Sequence, residues 1–235
     1  MKKSILISGA NRGIGLELVK QYSDAGWQVY AACRAPELAS DLAKLAGSSA
    51  GAIQVLPLDV TSEASLAAAG QMLKGESLDI LFSNAGVYGP TKAAGAALGS
   101  IDTEAWQQVF KVNTVAPLRL VETFLSCLEK GEEKKIAMMS SKMGSIADNT
   151  SGGAYIYRST KAALNAVTRS LAIDLSDRGF KVICLHPGWV QTDMGGPHGL
   201  ITTAESVQGI KKLLQTLELK QSGYFWNFNG DSIPW

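Results

Sequence analysis

One short stretch of sequence decides the fold: S-G-A-N-R-G-I-G, at residues 8–15. The apolar run before it, Lys3–Ser8, has the length and composition of a β-strand. The residues from Ile14 onward carry apolar side chains at helical spacing: Ile14, Leu18, Val19 and Tyr22. The stretch is therefore predicted to be a glycine-rich turn that joins a strand to a helix.

The three glycines of this turn, Gly9, Gly13 and Gly15, have the spacing G-x-x-x-G-x-G. They let the backbone turn tightly and approach a pyrophosphate, whose charge then faces free N–H groups at the start of the helix. A purely structural turn is the alternative, but the position between a strand and a helix favours a dinucleotide-binding site. The other candidate contacts within the turn are Asn11, Arg12 and Ile14.

Strand-like and helix-like segments alternate along the rest of the 235 residues. Further strands are predicted at Gln28–Arg34, at Val55, Leu56 and Leu58, and at Leu78–Ser83, Ile136–Ser140, Val182–Leu185 and Tyr224–Phe228. Short, nearly all-apolar strands between helices are typical of a parallel sheet that is covered on both faces. The sequence therefore predicts an α/β fold, a single doubly wound Rossmann-type domain over residues 1–235 with a mostly parallel sheet of seven strands.

Two long helices are predicted in the second half of the chain. Asp102–Leu128 is expected to continue through Pro117, with a bend there. Ala154–Asp177 carries an apolar stripe, and a helical stretch is also expected from Pro36 onward. The members of the stripe are Leu164, Val167, Leu171 and Leu175.

Charge and composition exclude several functions. The formal net charge is +1, which offers no basic field for nucleic acid or an anionic membrane. No run of 18 apolar residues occurs, and the first apolar run ends at Gly9, too early for a signal peptide, so we expect a cytoplasmic protein without a membrane span. The three cysteines and the two histidines lack the spacing of a disulfide framework, a metal site or a Ser-His-Asp triad. We expect no metal; Cys33, Cys127 and Cys184 should be buried and reduced, and His186 structural.

Residues 155–161 read Y-I-Y-R-S-T-K and contain a candidate general acid. Tyr157 and Lys161 are four residues apart and share one face of a helix, whereas Tyr155 is six residues from Lys161 and lies on roughly the opposite side. A neighbouring ammonium lowers the pKa of a tyrosine toward the range that a general acid needs. Tyr157 is therefore the predicted acid, and Tyr155 a packing or wall residue. A surface Tyr–Lys pair is the alternative.

Taken together, the motifs resemble those of the short-chain dehydrogenase/reductase family. Ser8 replaces the threonine that usually precedes the glycine turn. The other motifs follow in the family's order: Asp59-Val60, Asn84-Ala85-Gly86, Asn113, Ser140-Ser141, Tyr157 with Lys161, and Pro187-Gly188 with Val190 and Thr192. The stretch H-P-G-W-V-Q-T-D-M-G-G at 186–196 and the terminal I-P-W resemble the C-factor and Sniffer-type carbonyl reductases.

The resemblance implies a role for each motif. Asp59 and Val60 would contact adenine, and Asn113 would hold a water that relays protons to Lys161. Lys161 would also hold the ribose of the cofactor. The remaining implied cofactor contacts are Asn84, Ala85, Gly86, Tyr157, Pro187, Gly188, Val190 and Thr192. The resemblance also implies a homodimer or homotetramer that pairs through the two long helices.

Ser141 completes the predicted catalytic set of Asn113, Ser141, Tyr157 and Lys161. In the family's S-S-x-x-G pattern the second serine acts, which here is Ser141 rather than Ser140. The 16 residues from Ser141 to Tyr157 exceed the usual spacing. The extra residues fall in the polar stretch Asp148–Gly153, where an insertion is easily accommodated.

The end of the predicted second strand indicates which dinucleotide binds. NAD enzymes commonly place a carboxylate there, but this strand ends A-A-C-R, with Arg34 last. Arg34 and Arg12 suit a 2′-phosphate, so NADP(H) is the predicted cofactor. The alternative is that Arg34 is merely solvated.

These residues predict an NADPH-dependent reductase that converts a carbonyl (ketone, aldehyde or quinone-like) to an alcohol. The alternative is a C-factor-type signalling or sensor protein that binds NAD(P) with little turnover. The substrate is expected to be a small molecule held by two glycine-rich loops, 87–101 and 189–203.

Overall fold

The computed structural model describes residues 2–90 and 96–235, which form a single sheet with helices on both faces. Over these residues the sheet has seven strands in the order β3-β2-β1-β4-β5-β6-β7, and every neighbouring pair is parallel. The strands are β1 Ser4–Ser8, β2 Gln28–Cys33, β3 Ile53–Pro57, β4 Ile80–Ser83, β5 Lys135–Met139, β6 Lys181–His186 and β7 Phe225–Asn227. The predicted doubly wound Rossmann-type fold is confirmed.

The helices lie between consecutive strands, as parallel crossovers require. They are α1 Gly13–Asp24, α2 Ser40–Ser48, α3 Glu63–Met72, α4 Thr103–Phe110, α5 Ala116–Glu129, α6 Tyr155–Asp174 and α7 Thr203–Thr216. The helix expected from Pro36 begins instead with a separate 3₁₀ turn, Pro36–Leu38, before α2. Among the described residues, no helix is long and apolar enough to cross a bilayer.

The strand side chains alternate between two buried layers. Leu6, Leu81 and Ile136 face one layer, while Ile5, Ile80 and Phe82 face the other. Because both layers are apolar, the strands read as continuous hydrophobic runs instead of alternating with polar residues. The three cysteines are buried and unbridged, as predicted.

The long helical segment 103–129 is continuous but not uniform. Between α4 and α5, Lys111–Val115 form a π-helical segment that contains Asn113. In an α-helix the Asn113 carbonyl would accept from residue 117, which is a proline without an N–H. The wider turn ahead of Pro117 therefore takes the place of the predicted bend, and π segments of this kind are frequent at functional sites.

Strand order brings the glycine turn next to the end of β4. Strands β1 and β4 are neighbours, although β2 and β3 separate them in sequence. The chain leaves β1 and β4 at the same carboxyl edge, in opposite directions across the sheet. This switch point is where ligands bind in open parallel sheets.

The opposite, amino-terminal edge is held by a cluster of polar groups. The buried Asp79 carboxylate accepts from the backbone N–H groups of Ser4, Glu132 and Glu133. Glu133 forms ion pairs with Lys3 and with the buried Lys135. Burial alone would raise the pKa of Glu133, but its hydrogen bonds to Lys135 and Lys3 lower that pKa to about 2.

This cluster predicts a loss of stability in acid. The ordinary pKa of a glutamate is about 4.3, so the folded protein holds the ionised form of Glu133 more strongly than the unfolded chain does. Its contribution is complete above about pH 5 and disappears as the pH falls toward about 2. We expect Glu133→Gln to lower the free energy of unfolding near neutral pH by about 1–2 kcal/mol, allowing for solvent screening, and by less near pH 3.

Denaturant unfolding at both pH values measures the effect. Glu132→Gln is the matched control, because Glu132 is the adjacent glutamate and has an exposed side chain. Equal losses at the two pH values, or equal losses in the two variants, would contradict the assignment.

Candidate active site

The glycine turn has a backbone that larger residues could not adopt. Gly9 and Gly13 have φ angles of +65° and +54°. A Cβ on Gly15 would lie 2.1 Å from the Gly9 carbonyl oxygen, so the turn closes only because residue 15 has no side chain. Among the described residues no side chain caps the start of α1, and its first turn carries no acidic residue. The N–H groups there can therefore face an anionic ligand, and the cradle fits a pyrophosphate.

Two polar side chains attach this turn to the end of β4. The Asn84 amide donates to the carbonyl oxygens of Ser8 and Gly9, at 3.1 and 3.0 Å. The Ser8 hydroxyl accepts from the backbone N–H groups of Asn84 and Ala85, both at 3.1 Å. Serine supplies the hydroxyl that the family's threonine would supply, so this departure from the motif retains the contact.

The two arginines considered for a 2′-phosphate have different surroundings. Arg34 is exposed directly after β2, and its charge acts on Asp59. Burial would raise the pKa of Asp59, but hydrogen bonds from Thr61, with Arg34 and Lys111, lower it. Arg12 donates to Asp193 at 2.7 Å, and both of these side chains are exposed.

The segment after β6 folds back on itself beside the glycine turn. Gly188 has a φ angle of +88°, and a Cβ there would lie 2.5 Å from Ile201 Cδ1. Val190 pairs with Ile201 in an isolated β-bridge, and the Thr192 hydroxyl accepts from the Gly195 N–H at 3.1 Å. A Cβ on Gly13 would lie 3.4 Å from Thr192 Cγ2, so the segment reaches the turn. Pro187 is anchored through its carbonyl oxygen, which accepts from the Ser206 hydroxyl.

Asn113 lies at the centre of the other half of the site and is completely buried. Its side-chain oxygen accepts from the Val87 N–H at 2.9 Å, and its amide donates to the Val87 carbonyl oxygen at 2.8 Å. The same amide donates to the Thr160 hydroxyl at 3.1 Å. The Asn113 side chain therefore joins the loop after β4 to α6.

Gly86, Asn113 and Lys161 converge. A Cβ on Gly86 would lie 3.3 Å from Asn113 Oδ1 and 3.6 Å from Lys161 Nζ, so a larger residue would crowd the Asn113 side chain. Lys161 Nζ donates to the Met139 carbonyl oxygen at 2.7 Å. Burial lowers the pKa of Lys161 to about 8.

The two serines after β5 have different partners. The buried Ser140 hydroxyl donates to Asn165 Oδ1 on α6 at 2.6 Å, which commits it to the core. Ser141 Oγ accepts from the Met143 N–H at 3.2 Å, and as the acceptor it keeps its own proton for donation. The geometry therefore favours Ser141 over Ser140 as the group that meets a ligand.

Tyr157 is 8% exposed and packs against Tyr88, with ring centroids 4.6 Å apart and planes inclined by 28°. Burial raises the pKa of Tyr157 to about 12, while the Ser141 hydroxyl acts in the opposite direction. The expectation that Lys161 lowers the pKa of Tyr157 is not met. Lys161 Nζ lies 5.8 Å from the Tyr157 ring centroid and is bonded to Met139, so desolvation dominates.

Tyr155 and His186, which were not predicted to be catalytic, have other surroundings. Tyr155 is 40% exposed at the first position of α6, away from the Asn113–Lys161 cluster. Burial lowers the pKa of His186 to about 4, so it is neutral near pH 7, and its Nδ1 has no hydrogen-bond partner in the part of the chain that the structure describes. Of the predicted loop 87–101, residues 91–95 lie outside the described residues.

Two side chains that shape the site were not predicted individually, although Tyr88 lies within the predicted substrate loop 87–101. Asn165 engages Ser140, and Tyr88 covers Tyr157. Asn165 carried a weak signal, since a polar residue four positions after Lys161 falls on the same helix face. Tyr88 gave no periodic signal, because it lies in a loop.

The fold and the convergence of these side chains define a class of protein. A family model described as short chain dehydrogenase matches residues 3–199, and the chain belongs to this family. Its arrangement is that of a dinucleotide-dependent oxidoreductase domain.

Three known proteins are similar to this chain in sequence or structure. The chain is 42% identical over 158 residues to C-signal of Myxococcus xanthus, which covers 67% of this chain and 93% of the relative. It is similar in structure to the carbonyl reductase Sniffer of D. melanogaster, with a TM-score of 0.93, 34% identity and coverage of 100% of both chains. An NADPH-bound carbonyl reductase from chicken fatty liver gives a TM-score of 0.91 at 36% identity, with coverage of 100% of this chain and 99% of the other. The predicted resemblance to the C-factor and Sniffer-type proteins is confirmed.

Proposed function

We propose that this protein is an NADPH-dependent carbonyl reductase. The observation that carries the proposal is the convergence of Ser141, Tyr157, Lys161 and Asn113 beside a glycine turn that fits a pyrophosphate. The protein is similar over its full length to two carbonyl reductases, one of them bound to NADPH, and this similarity supports both the proposed reaction and the proposed cofactor.

In this proposal the glycine turn and the N-terminus of α1 hold the pyrophosphate, and Arg34 holds the 2′-phosphate. Asp59 and Val60 contact the adenine. Gly86, Pro187, Gly188 and Thr192 line the remainder of the site. NADPH supplies the hydride when it is bound.

Side chains of the site deliver the proton that the carbonyl oxygen gains. The Ser141 hydroxyl donates a hydrogen bond to the carbonyl oxygen and orients it toward Tyr157 Oη, which gives up its proton as the alcohol forms. Tyr157 must be protonated to do this, and its raised pKa keeps it so. Lys161 favours the phenolate that results, because an adjacent ammonium stabilises a negative charge in a buried site. Asn113 holds the loop and α6 in register and would position a water for the return of the proton to Lys161.

The signalling or sensor alternative is not favoured. The similarity to C-signal makes it worth stating. However, the match to the carbonyl reductase Sniffer extends over all of both chains, which favours the enzyme. A cytoplasmic location remains a prediction.

We further propose a homodimer or homotetramer that pairs through the helical segment 103–129 and α6. An apolar groove on that segment is lined by Thr103, Trp106, Gln107, Phe110, Lys111 and Val115. Phe110 and Val115 are 38% and 42% exposed, so the groove presents apolar surface to solvent. A partner helix would cover them.

The first test concerns the acid. Tyr157→Phe deletes one proton donor and little volume, so we expect turnover to fall by about 10²–10⁴-fold with the affinity for NADPH largely unchanged. Tyr155→Phe is the matched control and should stay within about twofold of the wild type, the range of an exposed substitution. Steady-state NADPH oxidation and fluorescence titration of NADPH measure the two quantities. Equal loss of turnover in both variants would refute the assignment.

The second test concerns the cofactor. One charge-assisted contact is worth about 1.5–3 kcal/mol, so kcat/KM should favour NADPH over NADH by about 10–150-fold. Arg34→Asp removes an attraction and adds a repulsion, and it should reverse much of that preference. Lys212→Asp makes the same change of charge on the exposed face of α7 and should leave the preference intact. Equal use of both cofactors by the wild type would disprove the claim.

The third test concerns assembly. Light scattering at micromolar concentration should give about two or four times the chain mass of 24.9 kDa. Phe110→Asp places a charge in the groove and should yield the monomer, because burying an unpaired carboxylate opposes association. Leu38→Asp changes a side chain that is 81% exposed elsewhere and should not alter the mass. A wild-type mass near that of one chain would remove the proposal.

A further inference from the structure

Tyr88 occupies a distinctive position beside the proposed acid. Its ring lies 4.6 Å from the Tyr157 ring between centroids, at an interplanar angle of 28°. The two rings are stacked, at a centroid separation within the range that aromatic pairs prefer. Tyr88 is nevertheless 40% exposed, so part of its ring remains open to solvent next to the buried tyrosine.

The backbone on both sides of Tyr88 is held in place. Val87 exchanges two hydrogen bonds with the Asn113 side chain, at 2.9 and 2.8 Å. Gly89 has a φ angle of +88°, and a Cβ there would lie 2.9 Å from Val109 Cγ2. The chain can therefore pass close to α4 only with glycine at this position. The backbone that carries the ring is therefore supported on both sides.

The surroundings of Tyr88 favour uncharged ligands. The loops after β4 and β6 expose the apolar side chains Val87, Trp189 and Met194 at the same edge of the sheet. In the loops after β5 and β6, Lys142 is paired with Asp148 at 3.4 Å, and Asp193 is paired with Arg12. These charges offset each other in pairs, and the exposed apolar side chains on the same loops favour an uncharged substrate.

We propose that Tyr88 is a specificity-determining residue of the carbonyl site: its ring is a wall against which the flat ring of a substrate packs while the carbonyl oxygen meets Tyr157. This inference rests on the proposed reductase function. A flat ring gains stacking contact with such a wall, whereas a branched, non-planar ketone of the same chemistry does not.

Two diketones separate these cases. Phenanthrenequinone is flat, and camphorquinone carries the same pair of adjacent carbonyls on a bulky, non-planar skeleton. We expect Tyr88→Leu and Tyr88→Ala to lower kcat/KM for phenanthrenequinone relative to camphorquinone by about 2–13-fold, the range that stacking contributes. Tyr88→Phe keeps the aromatic face and should retain the wild-type ratio, whereas leucine keeps only the apolar bulk.

A second readout does not depend on turnover. The groups that face Tyr157 are Tyr88, the Ser141 hydroxyl and the Lys161 ammonium. Burial is the main cause that raises the Tyr157 pKa, and the electrostatic effect of Tyr88 raises it further. Absorbance titration of tyrosine ionisation compares the wild type with Tyr157→Phe, and Tyr88→Leu with the double variant. The difference within each comparison isolates the ionisation of Tyr157. We expect Tyr157 to titrate at a lower pH in the Tyr88→Leu background than in the wild type.

Tyr155→Leu is the matched control, since Tyr155 is also 40% exposed but stands on the other side of α6. It should change neither the ratio nor the titration. An unchanged ratio in Tyr88→Leu and Tyr88→Ala, in an enzyme that reduces both diketones, would overturn this inference alone. Failure of the wild type to reduce either diketone would overturn the proposed function and this inference with it.

Discussion

The close approach of Gly15 to the Gly9 carbonyl oxygen is the constraint on which the rest of the site depends. A single added carbon at residue 15 would lie 2.1 Å from that oxygen, so the first strand and first helix can meet at this angle only without a side chain there. The turn places the N-terminus of α1 at the switch point of the sheet. Asn84 and Ser8 then attach β4 to the same turn, which fixes the loop that leads to Gly86 and Tyr88.

A second constraint comes from burial on the other side of the site. Lys161 and Tyr157 are almost completely buried, and desolvation moves their pKa values in opposite directions, to about 8 and about 12. Both shifts favour the neutral forms. The raised pKa keeps the proton on Tyr157 near neutral pH, as a general acid requires. Asn113 connects the two halves of the site. Its side chain binds the loop after β4, and its backbone belongs to the π segment of the long helix.

Most of the fold could be predicted from the sequence. Short apolar runs predicted the bounds of the strands to within one or two residues. The alternation of strands with helices predicted the parallel topology. The π segment could not be predicted, because Pro117 is compatible with either a bend or a widened turn, and packing decides between them. The break between Pro36–Leu38 and α2 is likewise a local choice of turn.

For the site, motif spacing identified which residues converge but not their electrostatics. Helical spacing placed Lys161 near Tyr157, yet it could not show that the Met139 carbonyl oxygen accepts a hydrogen bond from the ammonium or that Tyr88 stacks on Tyr157. Ser140 and Ser141 were separable by sequence only through resemblance, whereas the bond to Asn165 gives a physical reason. These contacts join residues far apart in sequence and leave no local pattern.

The most direct test of the account is a crystal structure of the protein with oxidised NADP and a carbonyl-containing substrate analogue. We expect the pyrophosphate at the Gly9–Gly15 turn and the carbonyl oxygen within hydrogen-bonding distance of both Tyr157 Oη and Ser141 Oγ. The Ser140 hydroxyl should stay bonded to Asn165. A carbonyl oxygen bound away from Tyr157, or one that contacts Tyr155 or Ser140 instead, would contradict the account.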